Sequence, residues 1–400
     1  MTQRLRILHI ISDLCVAGAE IKLCKVLGAT NRERFAPAVI AMKDQGDLRE
    51  QIEAMDIPVY TLGIRGSMPG PLAVMRLIRI VRQLRPALIH GWMYHGNLAA
   101  QFSGMLTRKR PVILWSVHQS LYNFDYEKWL TALVIKFCAR ISRLPDKIIY
   151  NSNTSASQHE AIGYRADKRL VLGYGFDTSK FAPSLEARHS VRAELGVSPE
   201  AILIGLAGRY HPVKDHGNFL HAGALLAKTN PQVYFVLCGR QVDQKNAALN
   251  ELIQNLGLAN CTHLLGERRD MQRLIAAMDI AVSSSSTEGF PNVVGEAMAS
   301  GVPCVVTAVS DLPQVVGETG RAVPPRDAAA LAAALSELIA LGAEGRERLG
   351  AAARQRIIDS FSLASAVAQY EEAYESALAE TGRGGEGELP LAPVLRSPLP

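Results

Sequence analysis

The stretch SSSSTEGFPNVVGEAMASGVP, Ser283 to Pro303, follows the apolar run Ile280-Ala281-Val282 and changes character twice. Small, turn-forming residues replace the β-branched run. Pro291 then opens a segment of helical character that Gly301 and Pro303 close. Proline near the first turn and glycine just past the last are the ordinary start and stop of a helix. The stretch therefore reads as strand, loop and helix, with Glu288 ahead of the helix and Glu296 inside it. Unpaired backbone N–H groups from Gly289, Phe290, Asn292 and Val293 would cluster at the helix start around Pro291, which has no N–H of its own and takes the N1 position, a setting suited to phosphate or hydroxyl oxygens.

The same unit recurs in both directions along the chain. Strands are predicted at Ile7–Ser12, Ala38–Met42, Val59–Leu62, Ala87–His90, Val112–Val117 and Lys147–Asn151. After a stretch bearing proline and charge, Pro183 to Pro199, the rhythm restarts at Ile202–Ala207, Tyr234–Cys238, Thr262–Leu264, Ile280–Ser283 and Val305–Thr307. Short apolar strands alternating with helices imply parallel sheets wrapped by helices. The fold class is α/β, with two Rossmann-like domains expected to face each other across a cleft. The expected divisions are 1–180, 181–362, a helix over 363–379 crossing back to the first domain, and a disordered Gly- and Pro-rich tail over 380–400. Further helices are expected at 328–341 and 345–358.

Composition agrees with a two-domain globular chain: 400 residues, 48% hydrophobic and 20% charged. Single cores rarely exceed roughly 250 to 300 residues. The six cysteines, at 15, 24, 138, 238, 261 and 304, show no CxxC pair or zinc spacing, so neither a disulfide framework nor a structural metal is expected. No uncharged apolar run approaches the ~18 to 20 residues of a membrane span, and the start of the chain lacks the pattern of a secretory signal. The expected location is cytoplasmic. Residues 1–180 carry 25 Lys+Arg against 14 Asp+Glu, whereas the remainder is acidic. The basic half should face something anionic. Two segments within it, Leu72–Arg85 and Lys128–Arg143, combine basic and apolar stripes able to lie on the inner face of an anionic membrane.

Open parallel sheets bind ligands beyond the carboxyl ends of their strands. The first such loop, Ser12 to Glu20, places Gly18 where a backbone can approach a phosphate. The loop GRYHPVKDHG, Gly208 to Gly217, carries Arg209 and Lys214 ahead of a helix. A bidentate guanidinium and a mobile ammonium can clamp a diphosphate without a metal. Glu288 and Glu296 can each accept paired hydroxyls. There is no GxGxxG for a dinucleotide and no GxxxxGK[ST] for a P-loop, and nucleic-acid binding lacks a motif or stacking platform.

The AGAE loop at Ala17–Glu20, the GRYHPVKDH loop and the block EGFPNVVGEAMASGVPCV together resemble the GT-B fold retaining glycosyltransferases of family four. The resemblance spans most of residues 4–378. It implies a nucleotide-diphosphate sugar donor held mainly by the second domain, a saccharide or lipid-linked acceptor, and no metal or other cofactor. By position it implies Glu288 on donor sugar hydroxyls, Glu296 on the ribose, Arg209 and Lys214 on the diphosphate, and Gly18 near the phosphates or acceptor. His118, after Val117, takes the place facing the reacting sugar, ahead of His90 and His95. Tyr94, His95 and Asn97 would line the acceptor side, and Gly266–Asp270 would edge the base pocket. Ala17 stands where the family often has glycine. Tyr174 replaces the usual asparagine of the crossover turn. A non-hydrolysing nucleotide-sugar epimerase is the alternative on the same architecture.

Overall fold

In the computed structural model, residues 4–66, 69–121, 129–173, 175–288 and 292–382 are described. Tyr174, Gly289, Phe290, Pro291 and the expected tail beyond residue 382 lie outside them. The chain divides into two compact units: residues up to Gly173 together with those from Ala366 onward, and residues 174–365.

The first unit runs β1 (Leu5–Ile11), α1 (Gly18–Ala29), β2 (Phe35–Ala41), α2 (Leu48–Glu53), β3 (Val59–Thr61), α3 (Pro71–Leu84), β4 (Leu88–Trp92), α4 (Met93–Met105), β5 (Val112–Val117), α5 (Trp129–Ile141), β6 (Lys147–Tyr150), α6 (Asn153–Ala161) and β7 (Arg169–Val171). The second runs α7 (Leu185–Leu195), β8 (Ile202–Ala207), α8 (His216–Ala227), β9 (Val233–Cys238), α9 (Ala247–Asn255), β10 (Thr262–Leu264), α10 (Met271–Ala276), β11 (Ile280–Ser283), α11 (Asn292–Ala299), β12 (Cys304–Thr307), α12 (Leu312–Val316), β13 (Gly320–Val323), α13 (Ala328–Ala340) and α14 (Gly342–Phe361). The last helix, α15 (Leu363–Thr381), follows at once.

Each unit is built on one parallel sheet, ordered β3-β2-β1-β4-β5-β6-β7 in the first and β10-β9-β8-β11-β12-β13 in the second. Central strands such as Leu88–Trp92 and Val112–Val117 are buried along their whole length. Strands covered by helices on both faces take this continuous apolar form. The order reverses between β1 and β4, and again between β8 and β11. At these points successive helices leave to opposite faces and the carboxyl ends open a crevice. The short edge strands β7 and β13 were not expected from the sequence. Each starts on a charged or glycine residue and has too few apolar positions to show a period.

The first unit ends at Gly173 rather than at 180, because the crossover segment is held by the second core. Phe176 and Phe181 are buried there, and the Arg354 guanidinium donates to the carbonyls of Thr178 and Phe181 at 3.1 and 3.0 Å. The stripe Val367, Tyr370, Tyr374 and Leu378 of α15 has helical spacing. Of these, Tyr370, Tyr374 and Leu378 pack with Ile7, Leu23, Phe35 and Trp92 in a first-unit core.

Candidate active site

The switch point of the second unit holds a pocket of about 320 Å³. Two loops line it, one after β8 with Gly208, Arg209 and Lys214, the other after β11 with Ser283 to Ser285 and Glu288. Asn292 and Val293 at the start of α11 complete the wall.

The first loop leaves β8 through Gly208, whose N–H donates to the Cys238 carbonyl at 2.8 Å. Beside it Gly239 adopts φ +142°, and a Cβ there would stand 2.3 Å from the Gly208 carbonyl oxygen, so only glycine permits this approach. Asp215, at φ 48°, turns the chain into α8, and its carboxylate accepts the Asn218 N–H at 3.1 Å. That cap satisfies one of the unpaired donors of the helix start.

Serines tie the second loop to the first. The Ser284 hydroxyl donates to the Lys214 and Asp215 carbonyls at 2.9 and 3.0 Å, and the Ser286 N–H donates to the Val213 carbonyl at 2.8 Å. From β12 the Thr307 hydroxyl donates to the Ser285 carbonyl at 2.6 Å. Held this way, the Lys214 ammonium pairs with the Glu288 carboxylate, which also accepts the Ser285 hydroxyl at 2.6 Å. Arg209 is exposed at the rim and forms no ion pair among the described residues. Two cations, a carboxylate and the start of a helix thus meet in one concave site, able to take both an anion and hydroxyl groups.

Of the expected residues, Arg209, Lys214, Glu288, Asn292 and Val293 are brought together here. Glu296 lies one turn farther along α11, half-buried, and does not line the pocket. The loop at Gly266 lies beside Gly239, whose N–H donates to the Gly266 carbonyl at 2.8 Å. Arg268 in that loop is engaged by Asp270 and Glu194 at 2.7 and 2.6 Å, and its guanidinium holds the Asp270 carboxyl well below the usual carboxylate range.

The other expected residues belong to the first unit. Gly18 is the exposed first residue of α1. His118 follows β5 with its ring stacked on Trp92, centroids 5.0 Å apart, and Trp92 stacks in turn on Tyr370 at 6.2 Å. Both ring nitrogens of His118 are buried without a partner among the described residues. Burial, and secondarily the charge of Lys22, keeps this imidazole neutral well below its ordinary value. Lys22, unremarked in the sequence, is itself buried. Its ammonium donates to the Leu172 carbonyl at 3.2 Å and lies 5.3 Å from the Tyr370 ring centre, and burial lowers its pKa to about 7. His90 is held between the Tyr374 hydroxyl, at 3.0 Å, and the Ser116 hydroxyl.

Two of the residues expected on the acceptor side lie in the interior. The Tyr94 hydroxyl bonds His159 at 2.9 Å in the interior, and Asn97, fully buried, clamps the backbone of Ser116 with both amide atoms at 3.2 and 3.1 Å. Their polar groups are used in packing α4 onto the sheet. His95 is half-buried, its pKa lowered by burial and then by Lys43. Among the described residues no group of three or more His, Cys, Asp or Glu side chains is arranged to hold a metal ion.

Residues 17–180 match the family described as Glycosyltransferase Family 4, and residues 201–340 match Glycosyl transferases group 1. A putative glycosyltransferase, EpsF, of Bacillus subtilis is 30% identical over 319 residues, covering 76% of this chain and 79% of that protein. The MMP alpha-(1->4)-mannosyltransferase of Mycolicibacterium hassiacum is 31% identical over 246 residues, 60% of this chain and 56% of its own length. A D-inositol 3-phosphate glycosyltransferase of Mycolicibacterium gilvum is 33% identical over 203 residues, 49% and 45% respectively. The chain thus spans about half the length of these last two relatives. Among solved structures, Anabaena Alr3699/HepE in complex with UDP and glucose has a TM-score of 0.77 at 23% identity, covering 93% of this chain and 100% of that one.

Proposed function

The chain belongs to the group 1, or family four, glycosyltransferases, and on that premise we propose that it moves a hexosyl or amino-hexosyl group, with retention, from a nucleotide-diphosphate sugar to a hydroxyl of a saccharide or lipid-linked acceptor in cell-surface polysaccharide or glycolipid assembly. The observation that carries this reading is the meeting of Arg209, Lys214 and Glu288 in one pocket at the switch point of the second sheet. The complexes of the Anabaena protein with UDP, with UDP and glucose, and with UDP-glucose lend it support.

In this reading the Arg209 guanidinium and the Lys214 ammonium stabilise charge on the departing diphosphate, together with the N–H groups at the start of α11. The carboxylate of Glu288 is already oriented by Lys214 and Ser285, so it accepts sugar hydroxyls without reorganising. His118 contributes a neutral imidazole with both nitrogens available to a hydroxyl or carbonyl. The work is electrostatic and positional, so no strong protein base is called for.

The test has two stages. A panel of sugar nucleotides is screened by thermal shift, since a ligand that binds only the folded chain raises its melting temperature. Transfer from the responsive donor is then measured for Lys214→Ala and Glu288→Ala. Each variant should lose about 100- to 1,000-fold in turnover, the scale of removing one charge-stabilising group. Unchanged turnover in both would defeat the assignment.

A further inference from the structure

Between Asp56 and Asp125 the sequence contains no Asp or Glu, and none occurs over 128–145. These stretches supply α3, α4 and α5. They are the successive right-handed crossovers of β3-β4-β5-β6 and so form one layer on a single face of the first sheet. The inward residues Leu77, Val81, Ala100, Ile135 and Cys138 share one core.

The outward side of this layer is apolar. Leu72 is 76% exposed, Met75 58%, Phe102 47%, Trp129 70%, Leu133 54% and Phe137 42%. The surface is continuous from helix to helix: Phe102 of α4 and Phe137 of α5 stack with centroids 6.4 Å apart, and Arg82 of α3 donates to the Leu106 carbonyl at 3.1 Å. Most of the strongly exposed large apolar side chains among the described residues lie here. Soluble surfaces rarely leave such a patch without a use. Exposed cations surround it, among them Arg76, Arg79, Arg108, Arg110, Arg140 and Arg143, and none of these six forms an ion pair among the described residues. Beside α5, Lys136 and Arg140 line a second pocket, of about 340 Å³.

We propose that this face docks on a bilayer rich in anionic phospholipid, with Leu133, Phe137 and Trp129 entering the headgroup boundary and the arginines engaging lipid phosphate. A basic surface alone suits nucleic acid equally well; the leucine, methionine and phenylalanine side chains between the arginines are what a bilayer dehydrates and a polynucleotide does not. No single helix among the described residues is long and apolar enough to cross a membrane. The inference is independent of the proposed transfer reaction and of the donor pocket.

Of the three tryptophans, Trp92 and Trp115 are fully buried, so a change in emission on binding reports Trp129. The full chain is mixed with vesicles of phosphatidylcholine alone, or with roughly a third phosphatidylglycerol, a strongly anionic surface. Sedimentation and quenching by lipids brominated on the acyl chains are then recorded. The expected result is binding at least about tenfold tighter to the anionic vesicles, weakened by salt, with blue-shifted and quenched Trp129 emission. Combined Arg79→Glu, Arg140→Glu and Arg143→Glu should lower that binding at least about tenfold. Combined Leu133→Ser and Phe137→Ser should remove most of the quenching. Both variants should keep the wild-type melting temperature, which reads folding separately. Equal binding to neutral vesicles, unshifted Trp129 emission, charge reversal without effect, or tighter binding to single-stranded nucleic acid than to vesicles would each overturn the proposal.

Discussion

The two units repeat one winding, β3-β2-β1-β4-β5 and β10-β9-β8-β11-β12, yet their switch points are built differently. In the first, α4 is drawn against the end of β1: a Cβ on Gly96 would stand 2.4 Å from the Ile10 carbonyl oxygen, and Asn97 is clamped to Ser116. In the second, the loops after β8 and β11 are tied to each other by Ser284 and Ser286, and a pocket remains between them. The interiors differ as well. The first core includes His9, His90, His159 and Lys22, all buried, whereas the second buries Arg192, ion-paired with Asp279, and His216 among its apolar side chains. One backbone plan thus serves two purposes, and the loops and a few buried polar groups decide which.

Acid should separate the units most strongly. Burial lowers His9 to about 3 and His159 to about 4, and keeps His90 well below its ordinary value, against 6.5 unfolded. Below pH 6.5 the unfolded chain therefore binds protons that the folded first unit refuses, so stability present above 6.5 is lost as pH falls toward 4. At pH 5 each histidine costs about 2 kcal/mol. In the second unit His216, lowered to about 4, and the half-buried His263, lowered by burial, act alike, but they are two groups against the three named in the first. Hydrogen exchange followed from pH 7 to 5 should show protection falling first in β1, β4 and β5; simultaneous loss in both units would break the contrast.

A smaller effect should come from Lys22. Its folded value of about 7 lies below the 10.5 of the unfolded lysine. Between these values the unfolded chain holds the extra proton, so stability rises with pH across that window. Lys22→Met should gain about 4 kcal/mol at pH 7, and the gain should vanish near pH 10.5. Denaturation at both pH values checks this, and a variant less stable at pH 7 would mean that the ammonium's contacts outweigh its burial.

The smallest change sharpens the comparison of switch points. Gly239→Ala and Gly96→Ala should each destabilise by about 1 to 3 kcal/mol through backbone overlap. Only Gly239→Ala should also abolish the nucleotide-sugar thermal shift, because only Gly239 packs against Gly208, which lines the pocket. Loss of the shift in both variants would place donor binding outside the second unit alone.

Much of this was legible beforehand for a physical reason. Buried parallel strands need continuous apolar runs, and loops at the carboxyl ends of such strands announce themselves by glycine, charged residues and helix starts, so β8, β11, Arg209, Lys214 and Glu288 stood out and the last three share one pocket. That Tyr94 and Asn97 bond inward was not legible, because a polar side chain after a strand looks the same in sequence whether it faces a ligand or the interior. Gly239 and Lys22 carried no local sign at all. The close approach of Gly239 is to Gly208, on another strand, and the burial of Lys22 depends on Leu172 and on Tyr370 of the last helix.

What the amino-acid order determined alone is the alternation of strands and helices, the two-unit α/β architecture and the residue types of the loops after β8 and β11, since these follow from local periodicity and turn chemistry. Which loops share a pocket, which polar groups are consumed in packing, and that three acid-free helices present one apolar, basic face were decided only by the tertiary structure. Those properties arise from contacts between segments far apart in the chain, and only folding brings them within reach of one another.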